Sequence, residues 1–219
     1  MTVSESIDAL LEHFSGETYS QEVTIARKDF NELTGGPFDQ SADDFEMKMS
    51  QFADWYLFER PHSQIGAVPV RSEQATALAK EKGFGAQLQI LQDSRSSLFE
   101  FLKVKGEDVF IKDLVANEKI VVPGSQMTLG FQRDEYFQAR LFKEEEVFRF
   151  GPAFCFHPAP ANRFLMKEIK RIRKIKNLEE KQSEKSSLLL KVFRMKYKLN
   201  QYKHVDVKDI YSADPKLRF

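Results

Sequence analysis

Cys155 and His157 stand two apart in Phe154-Cys155-Phe156-His157, so a strand here would put thiol and imidazole on one face. A thiolate activated by a neighbouring imidazole is nucleophile chemistry. Same-face strand neighbours lie about 6–7 Å apart, beyond a direct hydrogen bond, and no oxyanion-stabilising element is visible nearby. The reading is a buried thiol beside a strand-end histidine. Paired acids occur at Asp43-Asp44, at Asp54 with Glu59, and at Glu144-Glu145-Glu146. General acid/base work needs carboxylates in unlike environments, which local spacing does not supply. Helix-start and turn positions give these acids solvated structural roles instead. Gly35-Gly36 runs into Pro37 without a phosphate-binding lysine, and Gly83-Phe84-Gly85 lacks a third glycine, so neither familiar nucleotide loop is present. One cysteine and four histidines make no zinc-type ligand set. The sequence therefore assigns no catalytic residue, metal or cofactor, identifies no small-molecule substrate, and is read as non-enzymatic.

Charge carries the stronger signal. The formal net charge is zero, yet Met1–Arg60 holds 4 Lys+Arg against 13 Asp+Glu, and Ala161–Phe219 holds 17 against 7. From Arg163 to Leu178, Leu165, Ile169, Ile172 and Ile175 form one apolar face, while Lys167, Lys170, Arg171, Arg173, Lys174 and Lys176 crowd the others. From Leu188 onward, Leu188, Val192, Met195, Leu199 and Tyr202 recur at steps of four, three, four and three, a coiled-coil-like seam for protein contact. Glu179–Ser187 between them is almost wholly polar. A continuous helix would cross it in solvent, or the chain would bend there into a helical hairpin.

Three uses of this segment compete. The first is a docking or self-association helix, with the acidic N-terminal region as an internal alternative for its lysines. The second is contact with the phosphates of RNA, ribosome or DNA, although base-stacking aromatics are not interleaved with the basic half. The third is an anionic membrane surface, with Phe164, Leu165 and Phe193 inserted.

The elements that must position these residues follow from periodicity. Thr2 with Glu5 fits a capping box ahead of Ile7, Leu10, Leu11 and Phe14. Thr18 with Gln21 is expected to open a second helix carrying Val23, Ala26, Phe30 and Leu33 up to Gly35, and Ser41 a third carrying Phe45, Met49, Phe52 and Tyr56. Pro61–Val70 reads as an extended connector, Ser72 as the start of a helix stopping near Gly83, and GAQLQILQDS as a further short helix. From about Leu98 six β-prone runs follow: SLFEFLKV, DVFIKDLV, KIVV, QMTLGF, YFQARLF and EVFRFGPAFCF. Their spacing predicts an antiparallel meander curled into a small barrel. The expected organisation is α+β: an acidic helical region over 1–60, connector and short helices over 61–95, a β-domain over 96–158, a basic amphipathic helix or hairpin over 159–204, and a tail over 205–219.

Trp55 is the only tryptophan. With Phe52, Tyr56 and Phe58 it forms an aromatic run best buried as a plug between helical region and β-domain, with Asp54, Glu59 and Arg60 paired around its rim. The stretch Phe52–Pro61, FADWYLFERP, resembles a segment of uncharacterised bacterial proteins in which an aromatic "DW-aromatic-L-F-acid-R-P" run precedes a small β-domain. Ser96–Glu100 and Val109–Leu114 match its next elements, over about Ala42–Pro158. That resemblance implies a shared scaffold and supplies no activity, and the cysteine-rich zinc tail common in that group has no counterpart here. No run of about 18 apolar residues is present and MTVSESIDALLEHF lacks signal-peptide features, so a cytoplasmic location is expected. The function expected is a non-catalytic interaction or scaffold role through the basic C-terminal segment.

Overall fold

The computed structural model describes residues 1–40, 42–125, 131 and 135–213. Helix α1 (Val3–Ser15) starts at the expected capping box: Glu5 N–H donates to Thr2 Oγ1 (3.2 Å), and Thr2 N–H donates to Glu5 Oε2 (2.7 Å). Helix α2 (Ser20–Thr34) begins two residues later than the Thr18 signal suggests, because a short 3₁₀ turn occupies Glu17–Tyr19. It ends at Gly35, whose φ of 83° is the left-handed conformation glycine adopts freely. Helix α3 covers Phe45–Phe58; Ser41, expected to open it, lies outside the described residues. After the connector, α4 (Glu73–Lys82) is capped by the Ser72 hydroxyl, which accepts from Ala75 N–H (3.1 Å), and α5 (Gly85–Gln92) follows.

Five strands form one antiparallel sheet: β1 (Arg95–Lys105), β2 (Asp108–Asp113), β3 (Glu118–Val122), β4 (Tyr136–Glu144) and β5 (Val147–His157). Their order is β3-β2-β1-β4-β5. The expected strand QMTLGF falls at residues 126–131, of which 126–130 lie outside the described residues. The sheet is open where a barrel or simple meander was expected. Closure requires a ladder between the edge strands, and β3 and β5 have none among the described residues. The two edges nevertheless come near each other, and the Arg149 guanidinium of β5 donates to the Pro123 carbonyl just after β3. One face of the sheet is phenylalanine-rich, with Phe99, Phe137, Ile111, Val122 and Leu141 buried. The register pairs Ser96 with Arg140, Leu98 with Gln138, and Gln138 with Cys155. That row belongs to the opposite face, toward the helices.

The basic segment forms two helices, α6 (Asn162–Arg173) and α7 (Leu178–Gln201), followed by the short α8 (Val207–Ile210). The break falls at 174–177 and not in the polar stretch Glu179–Ser187. Asn177 caps α7 by accepting from Glu180 N–H (2.9 Å), so the polar stretch is that helix's first turns. Helix α7 buries two stripes: Leu188, Val192 and Met195 meet Leu165, Ile169 and Ile172 of α6, while Phe193 joins the core of α1–α5.

Candidate functional site

Helix α6 holds its apolar stripe inward, which turns the opposite stripe out. Arg163, Lys167, Lys170 and Lys174, at steps of four, three and four, are all exposed. None forms an ion pair among the described residues. Lys176 is also exposed. The other two basic residues singled out from sequence are tied down. Arg171 donates to Glu184 (2.7 Å), and Arg173 donates from Nε to the Leu114 carbonyl (2.8 Å). Four residues beyond Lys174, Leu178 is 80% exposed, the most open large apolar side chain described. The expected contact seam is elsewhere engaged: Leu188, Val192 and Met195 are buried within this chain, Leu199 packs beside them, and only Tyr202 is exposed. Leu165 and Phe193, named for membrane insertion, are buried, and Phe164 lies under the Lys191 ammonium (5.2 Å). Among the described residues no helix is long and apolar enough to cross a membrane.

The acidic region packs against α7, with the Phe30 ring 5.9 Å from that of Phe193 and the Tyr197 hydroxyl donating to the Pro37 carbonyl (3.1 Å). Lys203 lies 3.6 Å from Asp43, and Asn200 donates to Asp44 (3.2 Å). On α1, Glu5, Asp8 and Glu12 form an exposed acidic stripe at steps of three and four. Lys82 approaches Glu12 no closer than 3.9 Å.

The aromatic run of α3 packs inward. Phe52, Trp55, Tyr56 and Phe58 are buried, Phe30 and Trp55 rings lie 5.3 Å apart, and Phe58 meets Phe142 of β4 at 5.9 Å. Its acids, however, do not pair with Arg60. Asp54 accepts twice from Arg140, at Nε (2.7 Å) and Nη2 (2.9 Å), Glu59 accepts from Nη2 (2.7 Å), and the guanidinium covers the Phe58 ring at 4.2 Å. Burial works against the Arg140 charge, but Asp54 and Glu59 outweigh it and raise its pKa above the ordinary value. Arg60 turns instead to Glu22 of α2 and, at 2.8 Å, to Asp29. Buried Glu22 also accepts from the Ser63 backbone (3.0 Å) and hydroxyl. Burial opposes its ionisation, yet the Ser63 and Arg60 bonds hold its carboxyl down to about 2. Neither Arg140 nor Glu22 was singled out from sequence. The available signal was Gln138 and Arg140 on one face of an otherwise apolar strand, polar groups that must find partners when covered.

Between α3, the helix-facing side of the sheet and α7 lies a cavity of about 340 Å³. Phe30, Trp55, Leu189 and Phe193 make its apolar wall; Gln51, Asp54, Glu59, Gln138 and Arg140 make its polar wall; Ser183 and Ser187 of α7 stand at its exposed side.

The Cys155–His157 pair has no nucleophile geometry. The His157 Nδ1 lies 2.9 Å from the Tyr211 hydroxyl, and burial pushes the Cys155 thiol up to about 12 and the His157 imidazole down to about 3. Among the described residues no group of three or more His, Cys, Asp or Glu is placed to hold a metal.

An open antiparallel sheet braced on one face by helices, with a stripe of exposed positive charge on α6, is an α+β fold. The chain belongs to a family of unknown function, DUF7986, whose model matches residues 19–208. No curated protein and no solved structure matches it.

Proposed function

We propose that this protein is a non-catalytic interaction module in which α6 docks on an acidic helical surface, in the first instance that of a second copy. The observation that carries this reading is the stripe of Arg163, Lys167, Lys170 and Lys174, exposed and without an ion pair among the described residues. Leu178 beside it supplies an apolar anchor, a combination suited to a protein surface. The acidic stripe of α1 offers opposite charge at matching helical steps. Such a contact closes as a two-fold dimer when α6 of each copy sits on α1 of the other, and otherwise runs head to tail into rings or open chains.

Light scattering from about 10 to 200 µM at low salt tests it. The expected result is a concentration-dependent mass that Lys167→Glu with Lys170→Glu abolishes and that mixing with an Asp8→Lys, Glu12→Lys partner restores. A monomer at every concentration rejects self-association. The second reading, phosphate contact with a nucleic acid, rests on the same unpaired stripe. It requires RNA affinity falling steeply with salt, with a slope reduced by roughly one unit per lysine removed, and no dependence on Leu178.

A further inference from the structure

The cavity between α3, the sheet and α7 has an acceptor that no described residue uses. Gln138 is 5% exposed and forms part of the polar wall. Its amide nitrogen donates to Gln51 Oε1 (2.8 Å), whereas its Oε1 is buried without a partner among the described residues. The carboxylates and the second amide of the polar wall, by contrast, already accept hydrogen bonds from the chain. Both Asp54 oxygens face Arg140; Glu59 gives one oxygen to Arg140 and the other to the Ser186 hydroxyl (3.0 Å); Gln51 Oε1 holds Gln138. A buried amide oxygen left unmatched is costly, and here it borders a volume within the range of small-molecule sites, roughly 300–1,000 Å³. Opposite it, Phe30, Trp55, Leu189 and Phe193 offer an apolar surface.

We infer that this cavity is a binding site for a small organic molecule with an apolar body and an N–H donor, the donor meeting Gln138 Oε1 and the body lying against Trp55. Asp54 and Glu59 face Arg140 on the wall, and the Lys185 ammonium lies within electrostatic reach of Glu59 and Arg140, so the surrounding charge is balanced and a neutral ligand fits best. The site is separate from the α6 stripe and stands or falls independently of it.

Trp55, the only tryptophan, lies on the wall and reports occupancy by its own fluorescence. The intact protein is titrated with four probes: benzamide, a neutral donor; benzylamine, a cationic donor; methyl benzoate, which has the ring but no donor; and benzoate, an anion. Benzamide is expected to give a saturable change, with methyl benzoate, benzylamine and benzoate at least about tenfold weaker. Gln138→Met, which keeps length and removes the acceptor, is expected to bring benzamide to the level of methyl benzoate while leaving methyl benzoate unchanged. Ser187→Leu, at the exposed side, is expected to weaken both. No saturation with benzamide, or equal affinity for benzamide and methyl benzoate in the unaltered protein, overturns the assignment. That comparison decides the matter even where Gln138→Met does not fold.

Discussion

Arg140 has almost no exposed surface, and both acids that hold it come from the aromatic run of α3. Breaking a buried ion pair from one side strands charge in a poor dielectric, which costs about 3–5 kcal/mol. Arg140→Met should therefore lower the stability measured by urea unfolding by about that amount. Adding Asp54→Asn and Glu59→Gln should recover most of it, because the stranded charges are gone; failure to recover would show that the loss came from packing on Phe58. A second residue-scale expectation concerns acid. His157 is buried neutral, with a folded pKa of about 3 against an ordinary 6.5, and it faces Tyr211 and, more distantly, Lys196. As pH falls below about 6.5 the unfolded chain takes the proton first, so the stabilisation held above that pH drains steadily toward pH 3. Glu22, held down to about 2 from 4.5, adds its own loss only below about pH 4.5. In His157→Gln the slope of stability between pH 6.5 and 4.5 should flatten by up to about 1.4 kcal/mol per pH unit; an unchanged slope would assign the acid sensitivity elsewhere. Neither feature was legible from spacing, since Arg140 lies 86 and 81 residues from its acids and local sequence offered Arg60 as the nearer partner.

At the scale of elements, local chemistry predicted well where one short signal decides. The Thr2–Glu5 box, Ser72, Gly35 and Gly83 all mark helix ends in the structure. The basic segment was harder because two signals conflicted. Nine polar residues looked like an interruption, whereas the break ends at the Asn177 cap and the polar turns run on as helix. Leu188, Val192 and Met195 share one buried face of α7, but periodicity does not say what covers it, and α6 does. Leu188→Asp with Met195→Asp should consequently unfold the protein rather than dissociate an assembly. Leu188→Ala alone should cost about 2–5 kcal/mol in chemical denaturation. If either variant kept wild-type stability and only changed mass, the seam would be facing a partner.

For the whole molecule, boundaries drawn from composition separate regions that share their cores. Phe142 and Cys155 of the sheet and Phe193 of α7 belong to the same apolar cluster as α1–α5, and Leu98 of β1 packs with α6 and α7. Trp55 and Phe30 touch this junction, with Phe30 and Phe193 rings 5.9 Å apart. Removing everything after residue 158 would uncover Leu98, Cys155 and one side of Phe30 together. It would also take away Tyr211, the hydrogen-bonding partner of His157. Each large side chain returned to water forfeits about 1.5–3 kcal/mol, and a domain holds only about 5–15 kcal/mol in all. A fragment of residues 1–158 should therefore lack a cooperative thermal transition and show red-shifted Trp55 emission, while the full chain melts once, with fluorescence and far-UV dichroism coincident. A fragment that melts cooperatively with Trp55 still buried would instead make the C-terminal helices an appendage, and their charge would then sit on a separable arm.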